Sequence, residues 1–337
     1  MSIGFIISLD GGKYYPMYQH IFYDVKNNAD VKFVLDKSNK QLITDFLLKN
    51  RIRRLTKGLM DFICYDEGEL YEACQKASVL YDNVVVIFLN ASFVYRPYVA
   101  HTLIKYKQTL SNLKYVLLYL DIIKSGVSMN ANYLRENGVF DLVYTIDETD
   151  SIENKLSLWN TLYSKVEGYD SIEQQTDLYF CGASKKRWNI FERLAKDTAK
   201  HSINLIMDIV PTEIESSIQR INNINILPQG KYLSYEEVLH RELQATCILE
   251  VVQDGQKALT LRPYEAVAYN RKLLTNNRSI LEFEFYNPRN MQYFERVEDI
   301  DWEWVKEDTD VDYGYNGEFS PTHLMEDICK RMNGDNK

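Results

Sequence analysis

Between Cys247 and Asn277 the chain reads CILEVVQDGQKALTLRPYEAVAYNRKLLTNN, and its polar groups crowd one strand-to-helix junction. CILEVV is a short apolar run of the kind that forms a buried strand. DGQKALTLR is a loop carrying Gln253, Gln256, Thr260 and Arg262. Pro263 suits the first turn of a helix, where its missing N–H leaves no bond unmade. That helix is expected to pass through Tyr264, Glu265 and Ala266 and stop near Asn270, with KLLTNN as the next strand. In open α/β sheets, ligands sit in the crevice at the carboxyl ends of the strands. Helix N-termini facing that crevice attract anions. A phosphate-bearing ligand is therefore the chemistry these residues fit. Arg262 offers a bidentate clamp for phosphate, or an ion pair with Glu265 or Glu250. Thr260 offers a hydroxyl to the same phosphate. Glu265 stands in the first helical turn, where the dipole alone favours it. Glu250 ends a strand at the crevice. Gln253 and Gln256 serve equally as plain loop residues.

A second candidate is Cys181-Gly182-Ala183-Ser184-Lys185-Lys186-Arg187. Small residues let a ligand approach the backbone. Cations at the start of a helix oppose its dipole unless an anion is present, so Lys186 and Arg187 are expected at phosphate; a solvated turn is the plain alternative. Asp10-Gly11-Gly12 does not match the dinucleotide fingerprint and is a glycine turn or the border of an acceptor site. Asp121 ends a strand and is a candidate general base. His20 and His101 are further candidates for a cleft between domains. The five histidines do not pair at metal-ligand spacing, and Asp308, Asp310 and Asp312 fall in an acidic loop; a metal site is not expected.

These residues need a scaffold. Strands are expected at Ile3–Leu9, Val31–Asp36, Gly58–Tyr65, Val84–Asn90, Lys114–Asp121 and Phe140–Asp147. Helices are expected at Lys40–Asn50, Glu67–Tyr81, Thr102–Leu110 and Asn130–Asn137. Strands separated by helices imply βαβ units and a parallel sheet. The polar stretch Asp147–Asp177, with a helix over Lys155–Lys165, holds the domain boundary. The pattern restarts with strands at Asp177–Gly182, Ile203–Val210 and Ile224–Leu227. Ser234 and Glu237 form a capping box for a helix through Leu243. Asp299–Val305 is expected to start a helix. Ser320 and Pro321 cap a terminal helix ending near Met332. The predicted fold class is α/β with two Rossmann-like domains facing each other across a cleft. The first spans residues 1–165; the second spans 166–337 and includes the terminal helix.

The 337 residues suit about two domains. The net charge of -9 argues against a nucleic-acid surface, which needs a basic face. The five cysteines include no Cys-x-x-Cys pair, which fits a reducing compartment. The opening MSIGFIISLDGG reads as a strand rather than a leader. No apolar run nears the roughly 18 to 20 residues that span a bilayer, and a soluble, cytoplasmic protein is expected.

Three segments carry a family resemblance: DLYFCGASKKR, ILPQGKYLSYEEVLHRELQATCILEVVQDGQ and GQKALTLRPYEAVAYNRKLLTNN. They resemble bacterial glycosyltransferases of the GT-B type, notably those of capsular, exopolysaccharide and lipopolysaccharide synthesis. The resemblance implies a metal-independent enzyme with no cofactor, using a nucleoside diphosphate sugar as donor. It implies a glycan or lipid-linked acceptor on the first domain and the donor on the second. Carried onto this chain, Gly182, Lys186, Arg187, Glu250, Gln256, Thr260 and Arg262 line the donor site and Glu265 holds the ribose. Arg262, Glu265 and Asp121 are the expected catalytic groups. Peripheral association with the inner face of the membrane is compatible with such an acceptor. Many retaining members carry a glutamate eight residues before the equivalent of Glu265; here Lys257 stands there. A nucleotide-sugar epimerase on the same fold and a non-catalytic nucleotide-sugar-binding partner are the alternatives.

Overall fold

The computed structural model describes residues 2–10, 20–36, 69–89, 99–120, 123, 138–159, 161–169, 172–212, 224–228 and 231–333. The expected helices at Lys40–Asn50 and Asn130–Asn137, the expected strand at Gly58–Tyr65, and Gly11, Gly12 and Asp121 lie outside them. The chain divides into two compact units, residues 1–162 with 320–337, and residues 163–319.

The first unit holds β1 (Ile3–Asp10), β2 (Val31–Asp36), α1 (Glu69–Leu80), β3 (Asn83–Leu89), α2 (Val99–Thr109), β4 (Leu113–Tyr119), β5 (Leu142–Thr145), α3 (Glu148–Asn154) and β6 (Ser157–Leu158). Its strands pair in the order β2-β1-β3-β4-β5-β6, all parallel. The apolar, β-branched run NVVVIFL explains the central place of β3, because a strand covered on both faces reads apolar throughout. Its side chains alternate between two cores. Val84, Val86 and Phe88 join Ala73, Cys74, Leu103 and Tyr106 on one face. Val85, Ile87 and Leu89 join the opposite face. The helix expected over Lys155–Lys165 is replaced by α3, about two turns earlier in the chain. The Asp147 side chain caps its start by accepting from the Asp150 N–H, and Lys155 ends it in the left-handed region at φ 51°.

The second unit holds β7 (Thr176–Ala183), α4 (Trp188–Lys200), β8 (Leu205–Val210), β9 (Ile224–Ile226), α5 (Tyr235–Leu243), β10 (Ala245–Glu250), α6 (Leu261–Ala268), β11 (Lys272–Thr275), β12 (Met291–Tyr293) and α7 (Trp302–Lys306). These strands pair in the order β12-β11-β10-β7-β8-β9, again all parallel. The chain leaves β7 toward β8 on one side and later returns to β10 on the other. The order therefore reverses between β7 and β10, the switch point at which such sheets bind ligands. The capping box at Ser234 and Glu237 is formed.

The terminal helix α8 (Pro321–Met332) departs from expectation: it belongs to the first unit. Leu324, Met325 and Ile328 enter the core with Phe5, Ile7, Val85 and Leu118. The Tyr144 hydroxyl donates to Asp327 at 2.7 Å, and Arg331 pairs with the same carboxylate at 2.6 Å. Apolar burial chose the partner: this face of the first sheet is covered by the terminal helix together with Ile21, Phe22 and Val25 of the short helical segment after β1. No described helix is long and apolar enough to cross a membrane. Leu324→Ala should cost about 2–5 kcal/mol of unfolding free energy, read by chemical denaturation, with the loss in the first unit although the residue follows the whole second unit in sequence.

 The second unit, residues 163–319, is the 157-residue insertion that separates the two parts of this core.

Candidate functional site

β7 and β10 pair only as far as Tyr179 and Ile248. β7 runs on to Ala183 beside β8, and β10 runs on to Glu250 beside β11. Past the last pair the two strands carry carbonyls that no longer bond each other. Two guanidinium groups take them up. Arg262 Nη2 donates to the Cys181 carbonyl at 3.3 Å. Arg187 Nη2 donates to the Ala183 carbonyl and Nη1 to the Val251 carbonyl, so that side chain bridges the split.

The loop from β7 to α4 holds Arg187 in place. Ser184–Arg187 is a four-residue turn closed by the Arg187 N–H on the Ser184 carbonyl at 2.8 Å. Its central residues, Lys185 and Lys186, have φ of 38° and 64°. Glycine and asparagine take that conformation most readily, and other residues lose about 1–2 kcal/mol each. Strain of this kind gathers at functional sites. Thr212 pins the turn: its Oγ1 accepts from the Lys185 N–H at 3.0 Å, and its own N–H donates to Ser184 Oγ at 2.9 Å. Gly182 is fixed by packing, because a Cβ there would meet the Phe180 ring at 2.9 Å. Lys185 and Lys186 are exposed, and neither forms an ion pair among the described residues.

The half-buried Arg187 guanidinium bonds only carbonyls, with its third bond from Nε to Ser184 O at 3.3 Å. It also lies against the rings of Phe180 and Phe191. Among the described residues no carboxylate is within ion-pair distance of it. Burial pulls its pKa down to about 10, against the opposing charge of Glu250. It is a cation without a counter-charge at the switch point.

Arg262 forms the ion pair with Glu265 that its sequence position allows beside a phosphate clamp. Its Nη1 pairs with Glu265 Oε2 at 2.8 Å, and its Nε lies 2.5 Å from Glu242 Oε1. Glu265 is fully buried, and its other oxygen accepts from the Tyr235 hydroxyl at 2.5 Å. Arg262 and Glu265 engage each other because three residues apart on a helix puts the two side chains together. Glu250 and Thr260 are also committed inward. Glu250 accepts from the hydroxyls of Thr260 at 2.6 Å and Thr275 at 2.5 Å. Thr260 caps α6 by accepting from the Arg262 N–H. Gln256 makes one long bond, to the Ala258 carbonyl at 3.4 Å. Of the expected donor-side residues, Gly182, Lys186 and Arg187 keep an open place beside the split.

Glu242 escaped the sequence reading. It is fully buried on α5, and neither carboxyl oxygen has a hydrogen-bond donor, so its contact with Arg262 is a close approach without alignment. Burial holds its carboxyl well above the usual carboxylate range, with Arg262 opposing and Glu265 reinforcing. The signal was present: Val238, Leu239 and Leu243 make one apolar stripe, and Glu242 falls on it.

By sequence, no protein-family model matches the chain, and no curated protein matches it. By fold it is similar to solved structures. An alpha-glucosyltransferase in complex with UDP-glucose and DNA matches at TM-score 0.57 and 11% identity, covering 98% of this chain and 99% of the other. A UDP-N-acetylglucosamine 2-epimerase from Rickettsia bellii matches at TM-score 0.49 and 11% identity, covering 98% and 96%. The expected fold class holds: α/β, with two Rossmann-like domains.

Glu242→Gln should stabilise the protein increasingly as pH rises. The folded carboxyl keeps its proton to a higher pH than the unfolded one, whose pKa is about 4.3. Between those values the native state binds more protons, so unfolding free energy falls with rising pH. The wild type should lose up to about 1.4 kcal/mol per pH unit relative to the variant, with the two curves meeting in acid; thermal unfolding of both across pH reads it.

Proposed function

We propose that the second unit binds a nucleoside diphosphate sugar, with the diphosphate on the Ser184–Arg187 turn and the N-terminus of α4. The observation that carries this is the half-buried Arg187 guanidinium, whose hydrogen bonds go only to carbonyls at the switch point. An anion there would supply the missing counter-charge, and Lys186 with the dipole of α4 would add to it. The likeness of fold to a glucosyltransferase solved with UDP-glucose supports the same ligand class.

In this proposal the protein is a glycosyltransferase of surface polysaccharide synthesis, acting in the cytoplasm at the inner face of the membrane. The acceptor is a hydroxyl of a glycan or lipid-linked saccharide. Its oxygen bonds to the anomeric carbon as the bond from that carbon to the diphosphate oxygen breaks. The nucleoside diphosphate leaves with the electron pair, and a base takes the hydroxyl proton; Asp121 is the sequence candidate. Cations fixed where the leaving charge develops lower the barrier because they need no rearrangement during reaction. Arg262 and Glu265 would act through the shape of the split rather than by touching the donor. That inward commitment also favours a second reading, a non-catalytic nucleotide-sugar-binding partner.

Calorimetry with a panel of nucleoside diphosphates and their sugar esters tests the site. Replacing Lys185 and Lys186 by alanine removes exposed side chains and should weaken binding roughly tenfold, while Arg187→Ala should weaken it by about 1.5–3 kcal/mol. Binding unchanged in both variants would remove the site. Sugar transfer to a glycan pool separates the enzyme from the binding partner: binding without turnover favours the latter.

A further inference from the structure

The cluster beside the anion site holds two carboxyls and one guanidinium. Glu242 approaches Arg262 from α5, and Glu265 approaches it from α6. With both carboxyls ionised the cluster carries one net negative charge; with one proton bound it is neutral. Arg262 rests on the Cys181 carbonyl and Arg187 on the Ala183 carbonyl. Carbonyls two residues apart on a strand face the same edge, about 7 Å apart. The extra negative charge would therefore appear next to the place where an anion meets Arg187.

We propose that anion binding at the split between β7 and β10 is linked to a proton on the Glu242–Glu265 pair: the anion binds best while the pair keeps one proton, and is released as the pair loses it. This rests on the reading of the Ser184–Arg187 turn as an anion site. The geometry leaves Glu242 as the place for the proton. Both oxygens of Glu265 are engaged, one by Arg262 and one by the Tyr235 hydroxyl. Both oxygens of Glu242 lack a hydrogen-bond donor and are closed off from water. The other groups near Glu242 are Tyr235 on its own helix and, on β7, Cys181 and Tyr179. Tyr179 donates to Asp208, and Arg241 pairs with that aspartate, so neither supplies Glu242. Burial favours the neutral carboxyl in the same sense.

Sulfate is a suitable probe because its charge is constant over the range needed. Its affinity for the full chain should fall roughly tenfold as pH rises from the ordinary carboxylate range through the raised titration of the pair, the effect of one added charge at this spacing. In Glu242→Gln the affinity should stay flat. Calorimetry of the wild type in buffers of different ionisation enthalpy adds a readout that needs no variant: sulfate binding should take up a fraction of a proton in the middle of this range. No pH dependence in the wild type, no proton uptake, or the same dependence in Glu242→Gln overturns the link and leaves the donor site standing. Sulfate binding that ignores replacement of Lys185 and Lys186 by alanine overturns the anion site, and the link with it.

Discussion

One guanidinium shared between two buried carboxyls sets the geometry of the second unit's switch point. Arg262 sits where β7 and β10 part, and it replaces the ladder bond that the Cys181 carbonyl lacks. Glu242 and Glu265 hold it there from two helices. Burying such a cluster is expensive, and ion pairs of this kind are often no more stabilising than apolar side chains of equal volume. Removing one member, in contrast, strands the others in a dry interior. The cluster is therefore best understood by what it fixes. It keeps two neighbouring strands from zipping to their ends, and the gap so kept is the place where Arg187 bridges the sheet.

The strands were legible because their composition is forced. A parallel strand covered on both faces has no polar side to show, and NVVVIFL or LKYVLLY can hardly be anything else. The caps at Ser234 and Ser320 were legible because a hydroxyl before a helix has a local job. The site was only half legible. Thr260, Arg262 and Glu265 read in the sequence either as ligand groups or, for Arg262 with Glu265, as an ion pair, and spacing alone does not choose between them. Whether Arg262 turns inward depends on Glu242, twenty residues earlier on another helix. That glutamate reads as part of a solvated face unless its place on the apolar stripe of α5 is noticed. Lys272 makes the same point. It sits in an apolar strand pattern, yet it is fully buried, and its ammonium donates to the carbonyls of Trp304 and Glu307 at the end of α7. A cation suits that place because the helix dipole puts negative charge there.

The open turn and the closed cluster divide the labour of charge. Carboxyls inside the unit are satisfied by neighbouring side chains, as Glu250 is by the hydroxyls of Thr260 and Thr275. Lys185, Lys186 and Arg187, which form no ion pair among the described residues, lie together on one loop. A chain of net charge -9 thus still presents a local positive spot. Strained φ values at Lys185 and Lys186 show that the loop's shape is imposed by its anchors, Thr212 above all, rather than chosen by its residues.

The return of α8 to the first unit bears on the order in which the protein can form. The last helix supplies Leu324, Met325 and Ile328 to a core begun by β1. On a ribosome the second unit is therefore complete in sequence before the first one is. The first sheet must wait with one apolar face only partly covered while residues 163–319 emerge and collapse. Closing so long a loop adds only slowly to the entropic cost, because that cost grows with the logarithm of length. It adds far more to the delay, since contacts distant in sequence form late. The first unit is thus the part of this chain most exposed to aggregation during synthesis, and the second is the part able to fold while still being made.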